Sequence, residues 1–482
     1  MVSFPAPKDP FDAPMRVEAD LRGVQVTQGE VPEHLAGTYY KCVIDRQWPS
    51  FIENDLELFN GDGMIIAFRF DKGRVDFKSR YVRTPRLVAE EAAGRALFGA
   101  YRNPFTDDPS VAGVSRGVAN TNVFFHGGKL YVAKEDSPPI IMDPVTLETL
   151  GEYDFEGTLT SATSTAHPKF DPVTGEMVFF GYAAKGETTR DIVYYEADRD
   201  GRLIHETWFQ APYSSMVHDF AVTQNFVVFP IIPLRSELEW IKKGESHFKW
   251  DPHEPVHLGV LPRKGRAADV RWFTGSNRFA SHIMGAYDDG RFIHIDTPVG
   301  ASNYFPWFPD VTGAPYDPER AKGYLSRWTV DTQDATRGFT EFRLCRFAGE
   351  FPRMDDRQET LPYSWGVMAL LDGPGGHGRP GGGFRWLSGI DLAGGRQQIY
   401  WPGEDSTVGE PVFVPGGAGA PPGHGYVFVI VGRRAEMRSD LVILDAQRLD
   451  AEPVCTLSLP MRIRMGLHGN WVGADELAGR TD

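Results

Sequence analysis

Cysteine is scarce in this chain of 482 residues. The three cysteines (Cys42, Cys345 and Cys455) are odd in number and widely separated. Such a set forms no disulfide framework and no C-x-x-C metal or redox site. The sequence also has no run of 18 or more apolar residues, so no segment predicts a membrane span. Prolines interrupt the first 16 residues, which lack the apolar centre of a signal peptide. We therefore expect a cytoplasmic protein without membrane insertion.

Positive charge is also in short supply. Lysine and arginine number 50 against 65 aspartates and glutamates, which gives a formal net charge of -15. A nucleic-acid backbone or an anionic membrane surface would be repelled by this charge. The composition therefore excludes neither enzymes nor small-molecule binding, but it predicts no nucleic-acid partner.

Helical patterns are rare, and only residues 85–97, rich in alanine and glutamate, predict a convincing amphipathic helix. Aromatic residues make up 12%, with 52 glycines and 36 prolines, as expected for many short strands joined by tight turns. After an extended arm over residues 1–30, strand patterns recur without an exact period, which excludes standard WD40 and kelch repeats. We predict an all-β chain forming one domain over residues 1–482, with a β-propeller favoured over a pair of sandwiches.

Three other patterns carry no chemistry. The glycine-rich segments 372–383 and 415–425 lack the Lys-Ser/Thr pair of a phosphate loop and are interpreted as mobile loops. Residues 113–117 match G-x-S-x-G, but a strand-like segment follows instead of the helix that a nucleophile elbow requires.

Four of the thirteen histidines share a setting beside apolar strand segments. His167 precedes Pro168 at a predicted strand end, followed by a turn at 171–175 and a return strand. The other three lie far apart in the chain, at His218, His282 and His468. Four propeller blades that each lend one residue to the central axis would produce such spacing, which is unlike a zinc ribbon. Spacing alone leaves open that each is an ordinary structural histidine.

An ordered set of motifs resembles the carotenoid cleavage oxygenases. The motifs are Val-Pro-Glu-His-Leu-Ala-Gly-Thr-Tyr-Tyr at 31–40, Phe-Asn-Gly-Asp-Gly-Met at 59–64, Ala-Asn-Thr-Asn-Val at 119–123, His-Pro-Lys-Phe-Asp-Pro at 167–172, Val-His-Asp-Phe at 217–220, Leu-Gly-Val-Leu-Pro-Arg at 258–263, Glu-Phe-Pro at 350–352 and Gly-Glu-Pro-Val-Phe-Val-Pro at 409–415. The resemblance implies a seven-bladed β-propeller with a cap of loops and a few short helices over the active-site face. It also implies a non-haem iron(II) site that uses O2.

Matched position by position, the resemblance assigns the iron ligands to His167, His218, His282 and His468. It assigns to Glu135, Glu350 and Glu410 the role of accepting the free ring N–H of ligand histidines, which fixes their tautomers. Thr121 matches a threonine beside the open coordination positions. A solvated charge is the alternative for any one of these glutamates.

The sequence departs from the family pattern at two places. The third histidine motif normally has Asn before Ala-Tyr, whereas here it reads His-Ile-Met-Gly-Ala-Tyr, which leaves His294 as a substitute ligand. The acidic turn expected after 409–415 is replaced by the glycine-rich residues 416–425.

Phe59, Tyr101 and Lys134 are similar to a trio in the lignostilbene (stilbene-cleaving) dioxygenases. A lysine beside a bound phenol favours the phenolate, since a neighbouring cation lowers the pKa of an acid. Tyr101 is expected to hydrogen-bond the same oxygen and Phe59 to stack on the ring. The expected reaction is cleavage of the central C=C of a 4-hydroxystilbene, such as lignostilbene or resveratrol, into two aromatic aldehydes. Solvated Lys134 and a loop-anchoring Tyr101 are the alternatives.

Two other functions stay open. An apocarotenoid or carotenoid oxygenase would use the same iron site, but the charged segment 234–244 makes a poor apolar membrane patch. A propeller that binds a ligand or hydrolyses a lactone with calcium would need an axial carboxylate cluster, whereas histidines occupy the motif positions. A small phenolic stilbene is the expected partner, and a homodimer is possible.

Overall fold

The computed structural model describes residues 4–7, 9–53, 55–374, 376–377, 383–417, 419–464 and 466–479. β-Strands make up most of the ordered structure. They are, in chain order, β1 (Ala19–Leu21), β2 (Gln25–Gly29), β3 (Gly37–Ile44), β4 (Gly63–Asp71), β5 (Arg74–Tyr81), β6 (Asn122–His126), β7 (Lys129–Ala133), β8 (Ile140–Met142), β9 (Thr149–Glu152), β10 (Lys169–Phe170), β11 (Met177–Tyr182), β12 (Asp191–Ala197), β13 (Leu203–Gln210), β14 (Ala221–Val222), β15 (Phe226–Ile231), β16 (Leu234–Arg235), β17 (Lys249–Trp250), β18 (His257–Pro262), β19 (Arg271–Thr274), β20 (Gly285–Asp288), β21 (Phe292–Val299), β22 (Tyr324–Asp331), β23 (Phe339–Arg353), β24 (Trp365–Leu370), β25 (Asp372–Gly373), β26 (Gly376–His377), β27 (Trp386–Asp391), β28 (Gln397–Tyr400), β29 (Ser406–Val408), β30 (Val412–Pro415), β31 (Gly425–Arg433), β32 (Arg438–Asp445), β33 (Cys455–Ser458) and β34 (Gly466–Gly473).

Helices are few and short. The α-helices are α1 (Glu57–Asn60), α2 (Pro85–Ala93), α3 (Leu238–Lys242) and α4 (Ala474–Ala478), and single 3-10 turns lie at Pro10–Asp12, Pro104–Thr106, Pro109–Val111, Ala267–Asp269, Ala335–Arg337 and Asp356–Gln358. None of the helices in the described ranges is long and apolar enough to cross a membrane.

The predicted helix over 85–97 exists but ends at Ala93. The Thr84 side chain accepts a hydrogen bond from the backbone N–H of Leu87, and Pro85 occupies the first turn, which together start the helix. Gly94 then adopts a left-handed φ of +64° and its N–H bonds back to the last turn, so the helix stops before Leu97.

The strands form seven antiparallel blades. Four-stranded sheets have the orders β6-β7-β8-β9, β10-β11-β12-β13 and β14-β15-β18-β19. The 15-residue strand β23 belongs to two blades, because its first part pairs with β22 and its second part pairs with β24. The other two sheets have the orders β1-β5-β4-β3-β34 and β2-β33-β32-β31-β29. This is a seven-bladed β-propeller, so the predicted fold class is confirmed.

Both ends of the chain close the ring. The late strand β34 pairs with β3 in the first sheet, while β2 pairs with β33 in the last one. The region predicted as an extended arm, residues 1–30, thus contributes β1 and β2 to two different blades. These pairings tie the two ends of the chain together by backbone hydrogen bonds, so the ring is closed by the chain itself.

Buried strands explain the apolar runs of the sequence. Every residue of β3 and β11 is buried, because each lies inside a blade covered on both faces by neighbouring blades. Lys41 is therefore conspicuous as a charged residue in the centre of β3.

Short elements outside the blades form a cap. The segment leading to Asn103 is tied to α3 by a hydrogen bond of 2.8 Å from the Asn103 amide to the Ile241 carbonyl. The α1 turn, where the sequence predicted only a turn, buries Phe59. This cap positions the aromatic residues described below.

Candidate metal centre and adjoining aromatic pocket

Four imidazoles meet at one point. The side chains of His167, His218, His282 and His468 each offer a nitrogen, and these nitrogens all lie within 4.8 Å of one another. The Nε2 atom of His218 is 3.1 Å from that of His167 and 3.0 Å from that of His282. Nitrogens bound at about 2.1 Å to adjacent positions of one ion are about 3 Å apart, so the cluster has the dimensions of a metal site.

The propeller brings these residues together from strands at sheet edges. His167, His218 and His282 lie just before β10, β14 and β20, the first strands of three blades, and His468 lies within β34. The strand beside His167 begins after Pro168 instead of ending there. Because proline has no N–H to pair, the ladder starts with Lys169, opposite Val178.

Carboxylates hold three of the four imidazoles. The Nδ1 atoms of His218, His282 and His468 are 3.0, 2.6 and 2.8 Å from Glu135, Glu350 and Glu410, respectively. A carboxylate that accepts the Nδ1–H leaves the Nε2 lone pair free for a metal. The described residues provide no such carboxylate for His167.

Low pKa values keep two of the clustered imidazoles, His167 and His468, neutral and able to bind a metal. Burial, together with the neighbouring imidazoles, holds the pKa of His167 well below its ordinary value of 6.5. Burial also lowers the pKa of His468 to about 4, although Glu410 opposes this. Burial raises the pKa of Glu135, but the contacts with His218 outweigh it and bring that pKa to about 2. Burial lowers the pKa of His282 as well, but Glu350 outweighs it and the pKa of His282 is raised. A neutral imidazole beside an ionised carboxylate is the kind of donor that a divalent transition metal requires.

The surroundings of the three carboxylates differ. Glu410 contacts two cations, the buried Lys41 at 3.5 Å and the partly buried Arg353 at 3.2 Å. Glu350 accepts hydrogen bonds from the Ser281 hydroxyl and the Phe351 backbone N–H.

Glu135 instead accepts two phenol hydroxyls. The hydroxyls of Tyr101 and Tyr182 lie 3.5 and 3.4 Å from its Oε1 atom.

His294 lies outside the cluster. Its Nδ1 atom is 3.1 Å from the Thr329 hydroxyl and its ring packs against Tyr287. The glycine that replaces the family's Asn at position 285 also has a local reason. A Cβ atom there would come within 2.7 Å of Met354 and 2.9 Å of Tyr363, so only glycine leaves them room.

An aromatic pocket adjoins the histidines. The rings of Phe59 and Tyr101 stack at 4.9 Å, and the Lys134 ammonium lies 5.5 and 4.8 Å from their respective centroids. Lys134 is 2% exposed. The predicted trio therefore shares one pocket. Lys134 and Glu135 are consecutive in the chain, and Lys134 faces the pocket while Glu135 faces the histidines.

Thr121 is buried beside His468. Its carbonyl accepts the backbone N–H of His468 at 3.0 Å, and its hydroxyl donates to the Asn120 side chain at 3.1 Å. The threonine expected near open coordination positions thus lies next to one of the clustered histidines.

Sequence reasoning missed two groups of residues. Phe305, Trp307 and Phe308 surround Phe59 at ring distances of 5.7, 6.1 and 5.4 Å. Lys41 and Arg353, which contact Glu410, were also missed, although a lysine inside an apolar strand is itself a signal of a buried ion pair. His247, interpreted as part of a polar loop, is buried and contacts the Arg102 carbonyl.

A ring of seven sheets with an all-histidine site on its axis defines a class of propeller metalloproteins. The chain belongs to the family described as retinal pigment epithelial membrane protein (RPE65), the carotenoid oxygenase family, which matches residues 12–473. The predicted family resemblance is confirmed.

Relatives and solved structures agree with the stilbene-cleaving branch of that family. The chain is 45% identical over 474 residues to lignostilbene-alpha,beta-dioxygenase isozyme III of Sphingomonas paucimobilis, covering 96% of each chain. It is 43% identical over 463 residues to isoeugenol monooxygenase of Pseudomonas putida, covering 95% of this chain and 96% of the relative. The crystal structure of Pseudomonas brassicacearum lignostilbene dioxygenase superimposes with a TM-score of 0.93 at 41% identity, covering 98% of this chain and all of the other.

Proposed function

We propose that this chain is a non-haem iron(II) dioxygenase that cleaves the central C=C of 4-hydroxystilbenes with O2 to give two aromatic aldehydes. The proposed substrate class rests on one observation. Lys134 is 2% exposed, its ammonium lies beside the stacked rings of Phe59 and Tyr101, and no described residue forms a hydrogen bond or a salt bridge with that ammonium.

An unpaired buried ammonium is costly, since burial removes its water and only the rings compensate. A bound phenol supplies the missing acceptor, and as a phenolate it also supplies the opposite charge. The pocket therefore favours an aromatic ligand with an acidic hydroxyl over a hydrocarbon polyene.

Tyr101 and Phe59 suit the same ligand. Burial raises the pKa of Tyr101 well above 10, and Glu135 adds to the effect, so its hydroxyl stays protonated and can donate to a phenolate. The Phe59 ring offers a stacking surface, with Phe305 and Phe308 behind it.

The position of the pocket fits the reacting bond. Tyr101 and His218 contact the same carboxylate, so the phenol site and the metal site are neighbours. A 4-hydroxystilbene has its alkene at the opposite end of the phenol ring, which directs the alkene toward the histidines.

Iron fits the donor set. Four neutral imidazoles contribute no charge, so a bound divalent ion keeps its full positive charge, and four protein ligands leave coordination positions open. When bound, iron(II) supplies the redox chemistry with O2. The chain itself orients the ligand imidazoles through Glu135, Glu350 and Glu410. We propose that Thr121 lies beside the open coordination positions.

The proposal includes a cytoplasmic location. All three cysteines are free and buried, as a reducing compartment allows.

Product analysis tests the proposal. Iron-loaded protein is incubated with resveratrol, its 4′-O-methyl ether, isoeugenol and an apocarotenal, and aldehydes are quantified. We expect cleavage of resveratrol and little of the ether, which cannot form the phenolate. Preferred cleavage of the apocarotenal would overturn the substrate class, and preferred isoeugenol turnover would restrict it to single-ring alkenes.

A variant of Lys134 tests whether its ammonium determines the substrate class. Lys134→Met keeps the apolar stem and removes the charge, so kcat/KM for resveratrol should fall about 100-fold, as for loss of a buried charged partner, with iron content unchanged. Lys129→Met is the control, since Lys129 begins strand β7, which ends just before Lys134, and its ammonium lies over the Tyr153 ring instead. Equal turnover by the two variants would show that Lys134 does not bind the phenol.

A further inference from the structure

Of the three carboxylates at the histidines, Glu135 has a distinctive set of partners. Its Oε2 atom binds His218, while its Oε1 atom accepts Tyr101 and Tyr182. Glu350 and Glu410 contact a serine, backbone groups and cations instead. Within the described residues, Glu135 is thus the one carboxylate that joins a clustered histidine to a side chain of the phenol pocket.

The two tyrosines are held differently. Tyr182 accepts a hydrogen bond of 2.8 Å from Arg102, whose guanidinium also lies 4.9 Å from the Tyr182 ring centroid. Arg102 is 1% exposed, has a left-handed φ of +50°, and pairs with Glu187 at 2.9 Å. A buried arginine held in a backbone conformation that L-residues rarely adopt is a fixed support. Tyr182 is therefore anchored, whereas the Tyr101 hydroxyl has Glu135 as its hydrogen-bond partner among the described residues.

A phenol hydroxyl has a single proton to donate. Burial keeps both tyrosines protonated by raising their pKa values well above 10. Tyr101 can therefore donate to Glu135 or to a phenolate on Lys134, but a full hydrogen bond to both is impossible. At 3.5 Å, its bond to Glu135 is long and readily given up.

We propose that Tyr101 couples occupancy of the phenol subsite to the metal ligand His218. When a phenolate binds, Tyr101 withdraws its hydrogen bond from Glu135. Tyr182 and Arg102 hold Glu135 in place. Loss of one donor concentrates negative charge on Glu135. The carboxylate then accepts the His218 Nδ1–H more strongly and makes the imidazole a better electron donor. A metal held by His218 would then receive more electron density when the phenol subsite is occupied than when it is empty. The inference rests on the proposed function.

Proton NMR of the cobalt(II)-substituted protein tests the coupling without turnover. The paramagnetic cobalt(II) ion shifts the N–H signals of the ligand imidazoles away from the other protein signals. The signal that changes in Glu135→Gln is that of His218. The probe is 4-hydroxybibenzyl, which has the phenol but no alkene, and bibenzyl is the control without the hydroxyl. We expect 4-hydroxybibenzyl to slow solvent exchange of the His218 N–H roughly five-fold, and bibenzyl to leave it unchanged.

Two variants separate the tyrosines. Tyr101→Phe should show the slowed exchange before any ligand is added and no further response to 4-hydroxybibenzyl. Tyr182→Phe should slow the starting rate as well, because Glu135 again loses a donor, but should keep the response. A wild-type response in Tyr101→Phe, an equal response to bibenzyl, or no response in the native protein would each overturn the coupling.

Cobalt content and 4-hydroxybibenzyl affinity are measured on the same samples. Failure of the native protein to bind cobalt at the histidines, or to bind the phenol, contradicts the proposed function itself and the coupling with it. Normal binding of both without the exchange response contradicts the coupling alone.

Discussion

The Nδ1 atom of His468 donates to Glu410 at 2.8 Å, although 58 residues separate the two in the chain. The same carboxylate lies 3.5 Å from Lys41 and 3.2 Å from Arg353, and it also accepts the backbone N–H of Gly469. Glu410 therefore orients a candidate ligand and pairs with the buried Lys41, and it shares Arg353 with Asp356.

Replacing Glu410 by Gln should weaken both functions. We expect iron affinity to fall about 10–100-fold, since the support of a ligand imidazole is lost. Thermal stability should fall too, because the buried Lys41 loses its counter-charge, whereas Arg353 keeps its contact with Asp356. Iron retention against a chelator and the apparent Tm measure the two effects. Glu404→Gln, at an exposed position, is the control, and equal retention in the two variants would contradict the assignment.

The third ligand can be decided by two alanine variants. His282→Ala should abolish stoichiometric iron binding, because its nitrogen is one of the four that converge. His294→Ala should retain iron, since that ring is hydrogen-bonded to Thr329 in a neighbouring strand. Metal analysis of both variants checks this, and full iron in His282→Ala together with loss in His294→Ala would reverse the assignment.

Arg263 should be a major determinant of stability. Its guanidinium contacts Asp171, Glu176 and Glu196, three carboxylates of the neighbouring blade, and its side chain is 10% exposed. Arg263→Met removes this cation from all three carboxylates and leaves Lys264 beside Glu176 and Glu196, so it should cost about 3 kcal/mol of folding free energy.

Arg266→Met is the matched control for Arg263. That side chain is 88% exposed and its nearest carboxylate, Asp269, is 3.8 Å away. A change within about 0.5 kcal/mol is expected for it. Denaturant unfolding compares the variants, and a similar loss in both would show that the Arg263 contacts contribute little.

Asp62 should make stability depend on pH. Burial raises the pKa of its carboxyl from 3.8 to about 6, with Arg86 opposing the shift and Glu90 adding to it. The folded state then holds this proton more tightly than the unfolded state, so the contribution of Asp62 becomes less favourable as pH rises from about 4 to about 6.

Asp62→Asn removes this titration and keeps an oxygen for the Gln47 backbone N–H, which donates to Asp62 at 2.9 Å. We expect the variant to be more stable than the native protein at pH 7.5 by on the order of 2 kcal/mol, with the advantage shrinking toward pH 4. Unfolding curves across this pH range measure it, with Asp71→Asn, at an exposed position of β4, as control. A pH-independent difference would mean that the charge of Asp62 is not responsible.

Local patterns were sufficient for the elements that depend on near neighbours. The turn after His167 and the return strand β11 follow from Asp-Pro-x-Thr-Gly and an apolar run, and α2 begins where Thr84 and Pro85 predict. Its end was predicted four residues too late, because an alanine- and glutamate-rich pattern continues past Gly94 although the backbone there turns left-handed. The short α1 at Phe59 was missed, since cap packing stabilises a helix of one turn that its sequence does not.

The candidate site was predicted by resemblance, residue by residue, since spacing alone could not distinguish four ligands from four structural histidines. The contacts of Lys41, Arg353, Tyr182 and Arg102 could not be predicted, because each joins parts of the chain far apart in sequence. The single-domain organisation and a homodimer stay predictions.

The sequence by itself determined that this is an acidic, strand-rich chain without disulfides, and its ordered motifs placed it in a family and named the ligand histidines. Only the tertiary structure showed that His282 and not His294 joins the cluster, that Lys134 is buried beside the rings of Phe59 and Tyr101, and that Glu135 joins the two sites. The physical reason is ring closure: packing of seven blades fixes which edge-strand residues reach the axis, and that geometry depends on contacts across the whole chain.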